Sequence, residues 1–380
     1  PNEKTIADVF AGNGYATGMF GKWHLGDSHP YTPRFRGFTQ VVRHGGGGVG
    51  QTPDYWGNDY FDDTYWVNGE PMEFEGYCTD VFFREGLKFI KSCKDANRPF
   101  FCYIPTNAPH GPFLVAEKYE QIYTEQGVKG ARAKFWGMIT NIDENFGVLL
   151  DRLDEWNLSD NTIVIFMTDN GTAAGDDAGM RGRKGSQYDG GHRVPCFVRW
   201  PNGKITGGRD IATLTAHIDL LPTLIDLCGL KKPEIAFDGR SLRPLIEGDN
   251  QSFPTDRMLV VNRQRKNRPQ KYNACAVMQG RWRFVDDKEL YDLSNDPGQK
   301  SNIAAEHPQR VAAMHEAYEK WWADLSANNA FENDVHLDIG SPHEPETRLT
   351  SHDWHDPEGP TPWHQNHIRN GTIANGKWAI

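Results

Sequence analysis

Lys22 and His24 stand two residues apart, directly after a short apolar run from Tyr15 to Phe20. In an extended segment alternate side chains share a face, so an ammonium and an imidazole at this spacing converge on one spot suited to an anion. Asp169 and Asn170 follow a second apolar run, Ile163 to Met167, and precede Gly171. A carboxylate and an amide oxygen are hard donors, matched to Ca²⁺ or Mg²⁺ and poor at selecting zinc. His110 lies between Pro109 and Gly111, beyond a third apolar run from Phe100 to Ile104. An imidazole titrating near neutrality can carry a proton to or from a reacting group there. Arg181, Arg183 and Lys184 form a basic cluster, and the residues alone select no single anion ligand among them.

The elements that must position these groups alternate between strand-like and helix-like over the first two thirds of the chain. That pattern predicts an α/β fold with a mostly parallel central sheet flanked by helices. A stretch with Ile6, Val9 and Phe10 stops at Asn13-Gly14 and leads into the Tyr15 run. Phe135, Met138, Ile139, Ile142, Phe146, Leu149, Leu153 and Trp156 recur at helical spacing between the second and third apolar runs. Another helix is expected from about Ile218 to Cys228, and another strand from Val194 to Trp200. The Ile163 run is read as a parallel strand with Asp169 at its carboxyl end, where open α/β sheets gather ligands.

From about residue 250 short apolar runs (Met258 to Val261, Ala274 to Met278, Trp282 to Val285) alternate with polar turns, as in a small antiparallel sheet. Val311, Met314, Tyr318, Trp321, Trp322 and Leu325 then mark a closing helix. We therefore expect a large α/β domain over 1–250, a small C-terminal subdomain of antiparallel sheet plus helix over 251–326, and a tail or the start of a further module over 327–380. The tail carries His336, His343, His352, His355, His364 and His367, at spacings that match no established metal site. Gly45 to Gly48 lacks the following helix of a phosphate-binding loop and is expected to be a mobile loop. The aromatic segment Tyr55, Trp56, Tyr60, Phe61, Tyr65 and Trp66 suits either a sugar ring or a loop core.

The chain has 380 residues and a formal charge of −10, which disfavours a general nucleic-acid or anionic-membrane binder. An anionic ligand must be met by local positive charge. No apolar run approaches the roughly 18 residues of a membrane-spanning helix. The six cysteines show no Cys-X-X-Cys spacing and are expected to be buried free thiols.

Gly21-Lys22-Trp23-His24-Leu25-Gly26 resembles the hallmark segment of the sulfatases of the alkaline-phosphatase superfamily. The resemblance extends in order through Ala108-Pro109-His110, Thr168 to Gly171, Lys184, Gly190 to Pro195, Asp219 to Thr223 and Glu289 to Leu293. It implies a sulfuric ester hydrolase acting on sulfate monoesters, with a sulfated carbohydrate as the favoured substrate, in a periplasmic or secreted setting. Asp169 and Asn170 are implied as calcium ligands, with Mg²⁺ as the other hard cation. Lys22 and Lys184 are implied to hold sulfate oxygens, His110 to protonate the leaving alcohol, and His24 to assist sulfate release. Asp189 and His192 depart from the family pattern, which has Glu and an aliphatic residue there.

The family's nucleophile is a formylglycine made from Cys or Ser in a Cys/Ser-X-Pro/Ala-X-Arg signature. None of the six cysteines opens that pattern. The resemblance therefore implies a nucleophile upstream, an N-terminally truncated chain, and no turnover by these residues alone. Two other functions fit the same motifs: a phosphonate monoester or phosphodiester hydrolase, and a non-catalytic binder of sulfated glycans. Oligomeric state is not legible in the sequence.

Overall fold

A computed structural model describes residues 3–203, 205, 207–249, 251–264, 269–328, 339–344 and 347. The chain divides into two compact units. The first comprises the described residues of Pro1–Trp156, Leu230–Pro233 and His336–Ile380, and the second those of Asn157–Gly229 and Glu234–Val335.

In the first unit, helix α1 (Ile6–Gly12) starts at a reciprocal cap: Asp8 N–H donates to Thr5 Oγ1 at 3.1 Å, and Thr5 N–H donates to Asp8 Oδ2 at 2.8 Å. It stops at Asn13, and Gly14 turns the chain with φ +84° into β1 (Ala16–Gly21), which is buried throughout. Strand β1 pairs in parallel with β2 (Gln40–Arg43) on one side and β5 (Phe100–Tyr103) on the other. Strands β3 (Thr64–Val67) and β4 (Glu70–Glu73) extend the sheet beyond β2 as an antiparallel hairpin, giving the order β4-β3-β2-β1-β5. Their turn is Asn68-Gly69, both with positive φ, as a two-residue hairpin matched to strand twist requires.

Alternation along β1 serves two helical layers. Met19 packs with Ala7, Phe38 and Val41, next to Phe101, while Phe20 meets Phe89 of helix α2 (Cys78–Asp95) at 5.6 Å between ring centres. Helix α2 adds to the expected elements; its buried Cys78, Val81, Phe82, Phe89, Ile90 and Cys93 make one apolar stripe. Helices α3 (Glu117–Thr124) and α4 (Ala131–Glu155) follow, the latter on the predicted residues. The α/β fold class with a central sheet flanked by helices is thus met; the sheet is mixed, parallel in β5-β1-β2 and antiparallel in β2-β3-β4.

In the second unit, β6 (Val164–Met167) pairs antiparallel with β7 (Cys196–Arg199), and the four-residue helix α5 (Asp189–His192) lies between them in the chain. The expectation of a parallel strand before Asp169 is corrected by this pairing. Helix α6 (Leu220–Cys228) ends on Gly229 with φ +61°, and α7 (Arg243–Glu247) follows.

The C-terminal strands β8 (Met258–Asn262), β9 (Cys275–Gln279), β10 (Trp282–Val285) and β11 (Glu289–Asp292) form an antiparallel meander in the order β11-β10-β9-β8. Helix α8 (Pro308–Ala327) closes it, with Met314 and Tyr318 buried among Cys275, Val277, Phe284 and Leu290. All six cysteines are free thiols; Cys78, Cys93 and Cys275 are buried as expected, whereas Cys196 is exposed. Of the tail histidines only His343 is described, stacked on His29 at 5.4 Å; the other five lie outside the described residues.

Candidate active site

The carboxyl ends of the three parallel strands deliver one group of candidates. Gly21 of β1 is in register with Arg43 of β2, so Lys22 and His44 are the next residues on adjacent strands. On the other side Lys22 N–H donates to Pro105 O at 2.7 Å, just beyond β5 and five residues before His110. Lys22 and His110 are half-buried; His24 is exposed and has φ +59°.

The loop Gly45 to Gly48 completes this group. A Cβ built on Gly47 would stand 2.7 Å from Cε1 and Nε2 of His24, and one on Gly48 would stand 3.1 Å from Nδ1 of His110. Two consecutive glycines thus lie against the two candidate imidazoles: a side chain at Gly47 would have to shift the His24 ring, and one at Gly48 would crowd His110, Gln51 and Asn107. The expectation of a mobile loop is corrected: Gly45 through Val49 are buried, and the Gly45–Gly50 segment is tied at four amides. Gly45 and Gly50 N–H both donate to Asp54 at 2.8 Å, Gly46 N–H to Asp27 at 3.1 Å, and Val49 N–H to Asn107 at 3.0 Å. The Asp27 carboxylate is also paired with Arg43 at 2.7 Å.

Hydrogen bonding sets the histidine tautomers. His110 Nδ1 lies 2.7 Å from Gly111 O, and because a carbonyl only accepts, Nδ1 carries the proton in that bond. Tyr60 O–H donates to the His110 carbonyl at 3.0 Å, holding its backbone. His44 makes the same bond to Gly45 O at 2.8 Å, but it is fully buried, and among the described residues its Nε2 has no hydrogen-bond partner. Burial, opposed by that carbonyl bond and reinforced by Lys22, Arg43 and His110, pushes His44 down to about 3, so it is neutral. Asp54 is driven the other way by burial, up to about 7, against the donors that surround it. Sequence reasoning missed both; the usable signal was their position flanking the glycine run.

The second unit carries the other group. Asp169 is exposed at the end of β6, and Asn170 donates its amide N–H to Gly171 O at 3.1 Å, which leaves Oδ1 as the accepting end. Lys184 N–H donates to Thr172 O at 2.9 Å and Gly171 N–H to Gly191 O at 2.9 Å, so the Asp169-Asn170 turn, the Lys184 turn and the Gly190-Gly191 pair interlock. A Cβ on Gly171 would lie 1.9 Å from Gly190 O. His217 joins them, its Nε2 3.0 Å from Thr168 O, so Nε2 donates there.

The Arg181 guanidinium lies 3.8 Å over the Tyr188 ring and donates to Tyr291 Oη at 2.8 Å, and Arg183 reaches Asp177 at 3.3 Å; Arg183 and Lys184 are both exposed. His192 is half-buried with Nε2 donating to Gln187 O at 3.1 Å, a packing role. Asp189, in place of the family's Glu, is buried and accepts from Arg283 Nε at 2.8 Å. The donor chemistry of Asp169 and Asn170 fits a hard cation but supplies two of the six to eight oxygens that calcium takes. Among the described residues no cluster of three His, Cys, Asp or Glu suits a metal.

Residues 1–230 match the family model described as Sulfatase, and residues 183–323 match that of N-sulphoglucosamine sulphohydrolase, C-terminal. The chain belongs to the sulfatase family. Human arylsulfatase A is 26% identical over 358 residues, covering 79% of this chain and 67% of the relative. Dog N-acetylgalactosamine-6-sulfatase is 30% identical over 263 residues, covering 65% of this chain and 49% of the relative. The crystal structure of Ps i-CgsB in complex with k-i-k-neocarrahexaose superposes with a TM-score of 0.75 at 28% identity, covering 84% of this chain and 74% of that one. This sulfatase chain thus spans between about half and two thirds of these curated relatives' length. Among the described residues no helix is long and apolar enough to cross a membrane.

Proposed function

We propose that this sulfatase chain is part of an enzyme that hydrolyses sulfate monoesters of carbohydrates. The observation that carries the reading is the packing of His24 and His110 against consecutive glycines beside Lys22, at the carboxyl edge of parallel strands. A solved relative at 28% identity holding an oligosaccharide supports the carbohydrate.

In this reading Lys22 and Lys184 hold sulfate oxygens, where negative charge spreads in the transition state and fixed cations stabilise it. His110, its Nδ1 proton committed to Gly111 O, gives the proton on Nε2 to the alcohol oxygen as the sulfur–oxygen bond breaks. His24 moves a proton during sulfate release. Overall one water is consumed, and an alcohol, sulfate and a proton are produced. Asp169 and Asn170 would contribute oxygens to a calcium ion, which supplies positive charge toward the sulfate. The Cys/Ser-X-Pro/Ala-X-Arg signature of the family's formylglycine nucleophile does not occur among these residues.

The test is to express the full open reading frame and assay sulfated oligosaccharides for free sulfate. Stoichiometric release of sulfate and desulfated sugar is expected. Release of an alcohol and a phosphate monoester from matched phosphate diesters, with sulfate esters untouched, would overturn the reading in favour of a phosphodiesterase.

A further inference from the structure

Asp54 lies outside the family motifs, yet its carboxylate is the hub of the glycine loop. It is 6% exposed and accepts from Gly45 N–H and Gly50 N–H, both at 2.8 Å, and from Asn58 Nδ2 at 3.0 Å. Asn58 is fixed in turn, its Nδ2 donating to Thr64 O at 2.8 Å and its Oδ1 accepting Thr64 N–H at 3.0 Å at the start of β3. The two amides that Asp54 gathers are the first and last of a six-residue segment, and between them lie the glycines that face His24 and His110. Asp54 thereby pins both ends of the segment that walls both imidazoles, while Asp27 and Asn107 hold the Gly46 and Val49 amides between them.

We propose that Asp54 is a positioning residue that clamps the Gly45–Gly50 segment against His24 and His110. The role bears on catalysis only under the reading of those histidines given above, but the clamp itself is testable without turnover. An Asn at position 54 keeps the shape and replaces one acceptor by a donor that faces N–H groups, so at least one loop amide loses its partner.

The experiment is histidine-labelled NMR on this chain, reading Overhauser contacts between the His24 ring and Gly47 α-protons and between the His110 ring and Gly48 α-protons. The stacked His315–Tyr272 pair of the second unit, 5.6 Å between ring centres, is the internal control. In Asp54→Asn we expect both loop contacts to fall to less than half their wild-type intensity and the control to be unchanged. Asn58→Ala is the companion variant: it leaves the Asp54 side chain itself unchanged and removes one donor to it, and it should weaken the same two contacts to a smaller degree. Full-strength loop contacts in a folded Asp54→Asn protein would overturn the proposal; should that variant fail to fold, undiminished contacts in Asn58→Ala would do so. Neither result depends on whether the enzyme cleaves sulfate esters.

Discussion

Gly47 lies so close to the His24 imidazole that a Cβ built on it would stand 2.7 Å from both Cε1 and Nε2. Its backbone φ is not in the left-handed region, so alanine fits the chain but not the space. Gly47→Ala in the full-length enzyme should therefore displace the ring and lower kcat by about 10- to 100-fold, the penalty typical of misplacing a catalytic group by an ångström. The melting temperature should hardly move. Gly147→Ala in α4, where a Cβ meets nothing within 4 Å, is the control and should stabilise by about 0.5–1 kcal/mol. Wild-type kcat in Gly47→Ala would show that His24 has no catalytic position to lose.

His110→Ala and Lys184→Ala should each reduce sulfate-ester turnover by roughly 10²-fold or more in the full-length enzyme while the fold persists. Asp169→Ala should lower calcium content and activity together. Equilibrium dialysis with the cation, run beside the kinetic assay, checks both; activity that survives a chelator would remove calcium from the mechanism.

Two buried groups beside the glycine loop have opposite acid–base behaviour. His44, held below its ordinary 6.5 at about 3, contributes stability that is present above 6.5 and lost as pH falls toward 3. Asp54, raised from 3.8 to about 7, contributes stability that is present below 3.8 and lost as pH rises toward 7. Between about pH 4 and 6.5 the two slopes, each about 1.4 kcal/mol per pH unit, cancel. Urea unfolding across this window should give His44→Phe a stability that falls with rising pH relative to wild type, and Asp54→Asn one that rises. Identical pH slopes in all three proteins would refute the assignment.

Arg257 holds the buried Asp219 through two bonds of 2.9 Å, and Asp219 also accepts Ala216 and Arg240 N–H at 2.8 Å ahead of α6. Arg257→Met should destabilise by about 3–5 kcal/mol, because it leaves a buried carboxylate without its cation. Chemical denaturation at pH 7 measures it. A loss under 1 kcal/mol would mean that the two backbone donors suffice.

Much of the fold was legible because periodicity is a local property. The Phe135 to Leu153 stripe became α4, the Tyr15 run became β1, and Gly229 ended α6, each set by spacing and terminators within one segment. The pairing of β6 with β7 was not legible, since parallel and antiparallel partners ask the same composition of a short buried strand. The glycine run was misjudged for a related reason. Four glycines in sequence suggest freedom, and only the acceptors show that the loop is tied down: Asp27 and Asn107, farther off in the chain, and Asp54 just beyond the run.

The sequence by itself determined the family, the alternation of strand-like and helix-like segments, and the residue types that can grip a sulfate or a hard cation. The tertiary structure decided which of them share a unit: Lys22, His24 and His110 lie with the glycine loop in one, and Asp169, Asn170 and Lys184 in the other. It also decided that Arg181 and Arg183 are held by Tyr188, Tyr291 and Asp177, and that His44 is a neutral imidazole. The reason is physical. Residue type sets what a group can donate or accept, but burial and the partners brought by distant segments set its charge, its tautomer and whether it is spoken for.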